Sequence, residues 1–296
     1  MKLSDVIDLL LLATLWGGSF LFMRIAAPVI GPVWLIGLRV LLAGLTLLPL
    51  IWRQKLMPDL RKRAGTLLFV GIFNSAIPFL LFAYASVSLP AGFTAILNAT
   101  APLFGIVVAT VWIQERLTFG RIAGFLLGFI GVVLLIGFRP FEATITFYLA
   151  TGAGLLASVF YAFLAPYVSK NLKGVPSLVI AAGSQLGAAV FLLPLMPFTV
   201  PDEMPNALVI GSVLALAVLS TAVAYILYFR LIQNVGSSRA LTVTYLIPIF
   251  AMIFGAIFLS EPITTSMMIG CALILLGTAV ANNLIGNFKS GTFQLS

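Results

Sequence analysis

The chain has 296 residues, of which 61% are hydrophobic and only 8% are charged. A soluble domain carries roughly 25% charged residues, so this chain has too few polar side chains to cover a surface in water, and its mean hydropathy of +1.18 agrees. The composition excludes a soluble enzyme, a nucleic-acid-binding protein and a secreted disulfide scaffold. The net charge of +8 fits the Lys and Arg that collect in the cytoplasmic loops of membrane proteins.

Ten segments are long and apolar enough to form spanning helices, which need about 20 mostly apolar residues. The gaps between them are short, and none could hold a soluble domain. The first segment carries Asp5 and Asp8 where a signal peptide would be basic, so we expect it to be retained. The predicted spans are Asp5–Ala27, Pro32–Trp52, Ala64–Ser86, Ala91–Ile113, Arg121–Phe138, Ile145–Ser169, Val175–Met196, Ala207–Arg230, Ser237–Ser260 and Thr264–Asn287.

The basic residues predict the orientation of these spans. With a cytoplasmic N-terminus, thirteen of the sixteen Lys and Arg residues fall on the cytoplasmic side, and only Arg139 falls in an outer loop. Arg24 and Arg39 lie inside spans. This bias predicts that both termini are cytoplasmic, which requires an even number of spans and agrees with ten.

The two halves of the chain repeat. Residues 91–115 match residues 237–261 at an offset of 146 residues without a gap. A five-span unit that occurs twice must cross the membrane in opposite orientations, because five is odd. We therefore predict an all-α polytopic membrane protein with two inverted repeats, residues 1–143 and 144–296. Such repeats are typical of secondary transporters, whose substrate binds near the midplane at the repeat interface.

Several motifs carry a resemblance to a known family. They are the Trp16-Gly17 pair, Arg39 near the start of span 2, and the segments 115–124 and 261–270, which share a glutamate, a threonine and a glycine at matching positions. On these motifs the chain resembles the drug/metabolite transporter superfamily, in particular its EamA family and the aromatic amino acid exporter branch. The resemblance implies an exporter of amino acids and similar small metabolites.

Two prolines mark the expected binding site. Pro102 and Pro248 lie midway along spans 4 and 9, where each removes a helical hydrogen bond, and in lipid the freed carbonyl must find a partner or face a water-filled cavity. The alternative is a kink that serves packing only. The other residues predicted to line the cavity are polar or aromatic side chains at membrane depth, each of which could instead bind a neighbouring helix: Trp16, Asn74, Asn98, Tyr161, Gln185, Tyr225 and Tyr245.

Arg39 is the charged candidate, since a central Arg costs roughly 2.5–3.5 kcal/mol on insertion scales. It either extends outward, pairs with Glu261 or a helix-end carbonyl, or lines the outer vestibule and attracts a substrate carboxylate. Arg24 is expected to be only an interface anchor. Glu115 and Glu261 end spans 4 and 9, and they either cap the following helix or form symmetric salt bridges that gate the two mouths.

The eight acidic residues lie at span ends or in loops, and proton coupling usually needs a tunable acid or histidine inside the membrane. The chain has no histidine, so we expect no cofactor, no metal and no catalytic centre.

We predict a facilitative carrier that works by alternating access, a monomer in which Gly120, Gly124 and Gly128 serve internal helix packing. Its partners are a small-molecule substrate, expected to be an amino acid, and the lipid of the bacterial cytoplasmic (inner) membrane.

Four alternatives are weighed against the same sequence. A lipid or amphipathic-metabolite flippase and a proton-coupled drug or metabolite exporter both remain compatible with the pattern. A channel is less compatible, because ten spans leave no re-entrant loop for a filter. An intramembrane protease is excluded by the missing histidine and the absence of an acid in the membrane core.

Overall fold

The computed structural model of the protein describes residues 2–112, 114, 117–138, 144–240 and 242–282. These residues fold into apolar helices joined by short connections. In chain order the helices are α1 (Leu3–Arg53), α2 (Met57–Lys62), α3 (Ala64–Ser88), α4 (Ala91–Val111), α5 (Phe119–Gly137), α6 (Ile145–Asn171), α7 (Ser177–Phe198), α8 (Ala207–Val235), α9 (Ser237–Ala240), α10 (Val243–Leu259) and α11 (Thr265–Ala281).

Seven of the described helices are long and apolar enough to cross a membrane, namely α1 and α3 to α8, while α10 and α11 are shorter apolar helices. Helix α1 has 51 residues and would be about 76 Å long at 1.5 Å per residue, more than twice the hydrocarbon core. It is broken at Gly31, whose φ of 74° and ψ of 154° suit only glycine, and Pro32 follows. The seven long apolar helices confirm the prediction of an all-α polytopic membrane protein.

Helix α1 lies at the centre of the packing. It contacts α3, α4, α7, α8 and α10, and its side chains form much of the largest buried cluster, including Met23, Leu35, Ile36 and Val40. Outer helices instead expose large apolar side chains, such as Leu126, Phe129, Ile130 and Val133 of α5. Such a face is suited to lipid, since a soluble protein rarely exposes a contiguous apolar stripe of this kind.

Two helices contain a wide π-helical stretch. In α3 it covers Gly71–Ala76, and in α8 it covers Ala215–Val223. The offset of 146 residues maps the first stretch inside the second. A π-turn disturbs the regular ladder of backbone hydrogen bonds and is frequent at functional sites. In α8 the hydroxyl of Thr221 compensates by donating to the carbonyl of Leu216 at 2.8 Å.

Helices α5 and α11 pack through glycines without intervening side chains. A Cβ on Gly124 would meet the carbonyl of Gly277, and a Cβ on Gly131 would meet the carbonyl of Gly270. Successive contacts move toward the C-terminus along α5 and toward the N-terminus along α11, so the two helices are antiparallel. The glycines of α5 thus serve contacts within the chain, as predicted.

We predict that Gly124→Ala disrupts this interface, because the added methyl group meets backbone atoms of Gly277 and Ala281 that cannot rotate away. Overpacking of this kind costs about 1–3 kcal/mol. The matched control is Gly152→Ala in α6, where an added Cβ has no neighbour within 4 Å. Thermal unfolding in detergent should show a lower melting temperature for Gly124→Ala only. Equal melting temperatures would contradict the packing described.

Candidate functional site

A large cavity of about 1330 Å³ lies between α1, α3, α4, α6, α8 and α10. It extends to the ends of α4 and α6, where Trp112, Lys170 and Asn171 line it. Its walls are mostly aromatic and small apolar side chains. Seven of the ten residues predicted from the sequence line this cavity: Trp16, Arg39, Asn74, Asn98, Pro102, Tyr161 and Tyr225.

Arg39 is a buried charged residue that lines the cavity. Its side chain is held by α8, since its Nε donates to the Thr221 hydroxyl at 3.0 Å. Its guanidinium carbon lies 3.8 Å from the ring centre of Phe79, and Nη1 makes a long 3.9 Å contact with the sulfur of Met23. Arg39 is 5% exposed, so the alternative that it extends outward is wrong.

No carboxylate pairs with Arg39 among the residues that the structure describes. The prediction that Glu261 might be its partner is also wrong, because Glu261 pairs with Arg24. A cation–π contact and one hydrogen bond to a hydroxyl offset part of the cost of burying the charge. The Nη2 group has no partner among the described residues.

Aromatic rings form the walls on both sides of Arg39. Trp16 of α1 packs against Tyr228 with ring centres 5.2 Å apart, and Tyr161 of α6 packs against Phe82 at 6.0 Å. Tyr228 and Phe82 line the cavity as well. Trp16 lies too deep in the span to be an interfacial anchor of the aromatic belt. Its place in the cavity wall accounts for a tryptophan at this depth.

The break in α4 brings polar groups to the cavity. Residues 91–98 and 101–111 are separate helical stretches, and Ala99 and Thr100 form a turn between them. Pro102 stands in the first turn of the second stretch, where a missing N–H costs no helical hydrogen bond. Asn98 therefore ends a helix at the cavity wall, and Asn74 reaches the same wall from the π-helical stretch of α3.

Gln185 does not line the cavity, contrary to the prediction. It is fully buried between α7 and α3, and its amide nitrogen donates to the hydroxyl of Ser75 at 3.2 Å. Its Oε1 has no hydrogen-bond partner among the described residues. The sequence could not separate these positions, because an amide that joins helices and one that lines a cavity look alike in an apolar segment.

Tyr245 and Pro248 also do not line the cavity. Tyr245 lies on another side of α10, where the Asn282 amide donates to its hydroxyl at 3.5 Å. Pro248 is buried inside the continuous helix α10, so the predicted break at this proline is absent. The neighbours Thr244 and Ile247 line the cavity instead, one helical position away from each predicted residue.

Arg24 and Glu261 form an ion pair that joins several helix ends. The Arg24 Nε lies 3.1 Å from Glu261 Oε1, and its Nη1 donates to the last carbonyls of α3, on Ser86 at 3.1 Å and Val87 at 2.6 Å. Glu261 Oε2 accepts from the N–H of Ala91 at 2.8 Å, the first residue of α4. Arg24 thus binds the C-terminal end of α3, and Glu261 binds the N-terminal end of α4. The helix dipole favours a cation at the first position and an anion at the second.

This geometry corrects two predictions. Arg24 is no simple interface anchor, because it links α1 to the end of α3 and to the α10–α11 connection. Glu261 does not cap the following helix: Thr264 does so by accepting from the N–H of Met267 at 3.2 Å, while Glu261 caps α4. The second predicted gate residue, Glu115, lies outside the described residues.

Sequence reasoning missed the hydroxyls that hold the buried polar groups. Ser75 and Thr221 are both fully buried, and each binds a side chain named above. The offset of 146 residues was a partial signal, because it relates Ser75 to Thr221. Among the described residues, no cluster of His, Cys, Asp or Glu side chains could hold a metal ion.

We predict that Glu261→Ala destabilises the protein by about 2 kcal/mol, because it leaves Arg24 without its carboxylate and the first turn of α4 without its cap. The control is Glu203→Ala, which removes an exposed carboxylate from the connection between α7 and α8. Denaturation in detergent micelles measures both variants. If Glu203→Ala is as destabilising as Glu261→Ala, the network has no special role.

Known proteins resemble the chain along nearly its whole length. An uncharacterized transporter of Archaeoglobus fulgidus is 23% identical, with 92% of this chain and 96% of the relative covered. A Streptantibioticus cattleyicolor protein named "probable terminal-alkyne amino-acid exporter" is 25% identical, with 95% of each covered. An Escherichia coli protein named "probable amino-acid metabolite efflux pump" is 26% identical, with 94% of each covered.

The fold and the family agree with these relatives. A solved crystal structure superposes with a TM-score of 0.66 at 22% identity and covers 96% of this chain and 98% of the other, which shows that the fold is shared. The sequence model of the EamA-like transporter family matches residues 5–137 and again residues 149–283. The resemblance to the EamA family noted from the sequence motifs is confirmed, and the chain belongs to the EamA-like transporter family, whose members are transporters and not enzymes.

Proposed function

We propose that the protein is a ten-span carrier that exports small carboxylate-bearing metabolites, amino acids among them, across the bacterial cytoplasmic membrane by alternating access. The observation that carries this proposal is Arg39. It is a permanent cation that is buried in the membrane interior, lines a cavity of about 1330 Å³ and has no acidic partner among the described residues. A transported carboxylate supplies the missing counter-charge in a bidentate geometry that guanidinium favours.

The ten spans are counted from the helices described above. Helix α1 contributes two because Gly31 divides it, helices α3 to α8 contribute six, and α10 and α11 contribute one each. We assign residues 1–143 and 144–296 to inverted repeats. The two separate matches to the family model support this division. The antiparallel arrangement of α5 and α11 supports the inversion, since equivalent helices of inverted repeats run in opposite directions.

Reciprocal contacts give the same proposal a second support. Gly124 meets Gly277 and Gly131 meets Gly270, and the offset of 146 residues exchanges these two pairs with each other. A contact pattern that is preserved when the halves are exchanged is the mark of a two-fold relation. In an inverted repeat this axis lies in the membrane plane.

Alternating access follows from the two ends of the cavity. The network of Arg24 and Glu261 closes one end, and the cavity reaches Lys170 and Trp112 at the other. With the N-terminus in the cytoplasm, the open end faces the cytoplasm and the closed end faces outward. In export, the outer network opens when the inner end closes, and the two repeats move relative to each other around Arg39.

The orientation predicts which loops react with an impermeant thiol reagent in intact cells. Cys271 is the only cysteine and is replaced by serine to provide the background. Gln54→Cys, in the exposed loop after α1, should be labelled only after the cells are permeabilised. Glu203→Cys should be labelled in intact cells. The opposite result would reverse the topology, and equal labelling of both sites would contradict it.

The carrier activity predicts saturation and counterflow in proteoliposomes, neither of which a channel shows. Arg39→Gln should raise KM for a carboxylate substrate about 10- to 150-fold, which corresponds to the roughly 1.5–3 kcal/mol of a hydrogen bond to a charged group. Arg53→Gln is the matched control, because Arg53 is exposed at the end of α1. Unchanged KM in Arg39→Gln would refute a role for this side chain in binding.

We also propose that transport is facilitative, since the six described acids lie outside the cavity wall. An imposed pH gradient should then leave the initial rate of export unchanged once the charge state of the substrate is held constant. A several-fold acceleration would instead favour the proton-coupled exporter. The measurement uses a substrate whose pKa values lie far from the working pH.

A further inference from the structure

In the described part of the chain, the charged side chains that line the cavity are all basic. Arg39 lies in its middle and Lys170 lines its open end, whereas no acidic side chain lines it among the described residues. The described acids are engaged or distant. Asp8 lies 3.1 Å from Arg230, and Glu261 is bound by Arg24. The other described acids are Asp5, which accepts from Asn234, and Asp59, Asp202 and Glu203, which lie in exposed segments.

The neutral groups of the wall cannot replace a carboxylate. An ammonium group that enters with a substrate finds amide and hydroxyl oxygens on Asn74, Asn98 and Ser220, and hydrogen bonds between a charged and a neutral group leave the positive potential of Arg39 in place. In surroundings of low dielectric constant, a second cation a few ångströms from a guanidinium is disfavoured more strongly than in water. The ammonium of an α-amino acid would lie at that range, because one carbon separates it from the carboxylate.

The aromatic walls define the rest of the ligand. Phe79 and Phe82 face the cavity from α3, and Trp16 and Tyr228 form a pair on the side of α1 and α8. Flat apolar surfaces of this kind bind the body of an amphipathic solute. The cavity thus combines an apolar body site with a single anion site at Arg39.

We propose that the cavity selects amphipathic organic monoanions over zwitterions and cations that share the same carbon skeleton. This inference rests on the proposed carrier function and ranks its carboxylate-bearing substrates: those without a compensating positive charge are preferred, and zwitterionic amino acids are the weaker substrates. Arg39 binds the carboxylate, the aromatic walls bind the apolar body, and Lys170 at the open end attracts the anion toward the cavity.

The substrate charge determines what drives the carrier. A facilitator that moves a monoanion also moves one negative charge, so an inside-negative membrane potential drives it outward without any coupled ion. About 59 mV of potential supports a ten-fold concentration ratio of a singly charged solute. An organism therefore needs no proton-binding carboxylate in this protein to expel such a compound against a gradient.

The test uses three probes that share one carbon skeleton and differ in their charged groups: 3-phenylpropionate (anion), phenylalanine (zwitterion) and 3-phenylpropylamine (cation). Purified full-length protein in liposomes is assayed for counterflow of each at pH 7.5, with protein-free liposomes as the baseline. We expect the anion to move at least ten-fold faster than phenylalanine, and the amine to stay at the baseline. An imposed potassium-diffusion potential of about 59 mV, negative inside, should shift the steady-state distribution of the anion about ten-fold outward.

Two variants assign the selectivity to the guanidinium. Arg39→Lys keeps the charge and should keep the preference for the anion at a higher KM, whereas Arg39→Gln should abolish the preference. Arg53→Gln serves again as the exposed control. The wild-type probe series does not depend on the folding of any variant.

The outcomes separate this inference from the proposed function. If phenylalanine moves as fast as the anion or faster, the carrier function stands and the selectivity for monoanions is wrong. The same holds if the amine moves above the baseline at a rate similar to that of the anion. If none of the three probes moves above the baseline, both the inference and the assignment of carboxylate-bearing substrates fail.

Discussion

Arg39 carries a permanent charge at a depth where neither lipid nor a described carboxylate neutralises it, and much of the cavity is arranged around this cost. Thr221 accepts one of its hydrogen bonds from within the π-helical stretch of α8. Phe79 lies against the guanidinium from α3. Each partner belongs to a different helix, so the side chain joins α1, α3 and α8 at the cavity wall. A guanidinium with part of its donor set open to that wall is a binding group for an anion.

The second half of the chain contains a neutral counterpart of this arrangement. An offset of 146 residues relates Thr221 to Ser75, and each of these hydroxyls accepts from a polar side chain of a neighbouring helix, Arg39 in one case and Gln185 in the other. The duplicated framework has kept a hydrogen bond between the same two kinds of helix in both halves. Only one half has a charged residue in this hydrogen bond. Of the two side chains, Arg39 lines the cavity and Gln185 does not.

The sequence predicted the membrane class, the family and most of the cavity, because apolar length, loop charge and the repeat are properties of long segments. Trp16, Arg39, Asn74 and Asn98 were found since polar or aromatic side chains at membrane depth are rare. The orientation of a side chain around its helix axis was not accessible. This is why Tyr245 and Pro248 were placed in a cavity that their neighbours line, and why Gln185 was placed there although it binds Ser75 between two helices.

The long-range pairing could not be predicted either, since Arg24 and Glu261 are 237 positions apart and nothing local connects them. Charge complementarity alone allowed Arg39 as a partner of Glu261. The choice is made by packing: the Ser260 backbone, with a φ of 52°, turns Glu261 back against α10, where Gly255 leaves room for its carboxylate. Only the assembled helices bring the end of α3, the start of α4 and Arg24 to the same place.

The difference between Arg39 in one half and Gln185 in the other has a consequence for the transport cycle. A carrier with two identical halves would have inward-facing and outward-facing states of equal free energy, and without a gradient it would rest equally in both. A guanidinium in one half and an amide in the other removes that degeneracy, because the charge meets a different set of neighbours in each state. Under the proposed alternating access, the empty carrier then has a preferred resting side, and its apparent affinity on each face of the membrane is reduced by the fraction of carriers that open to that face.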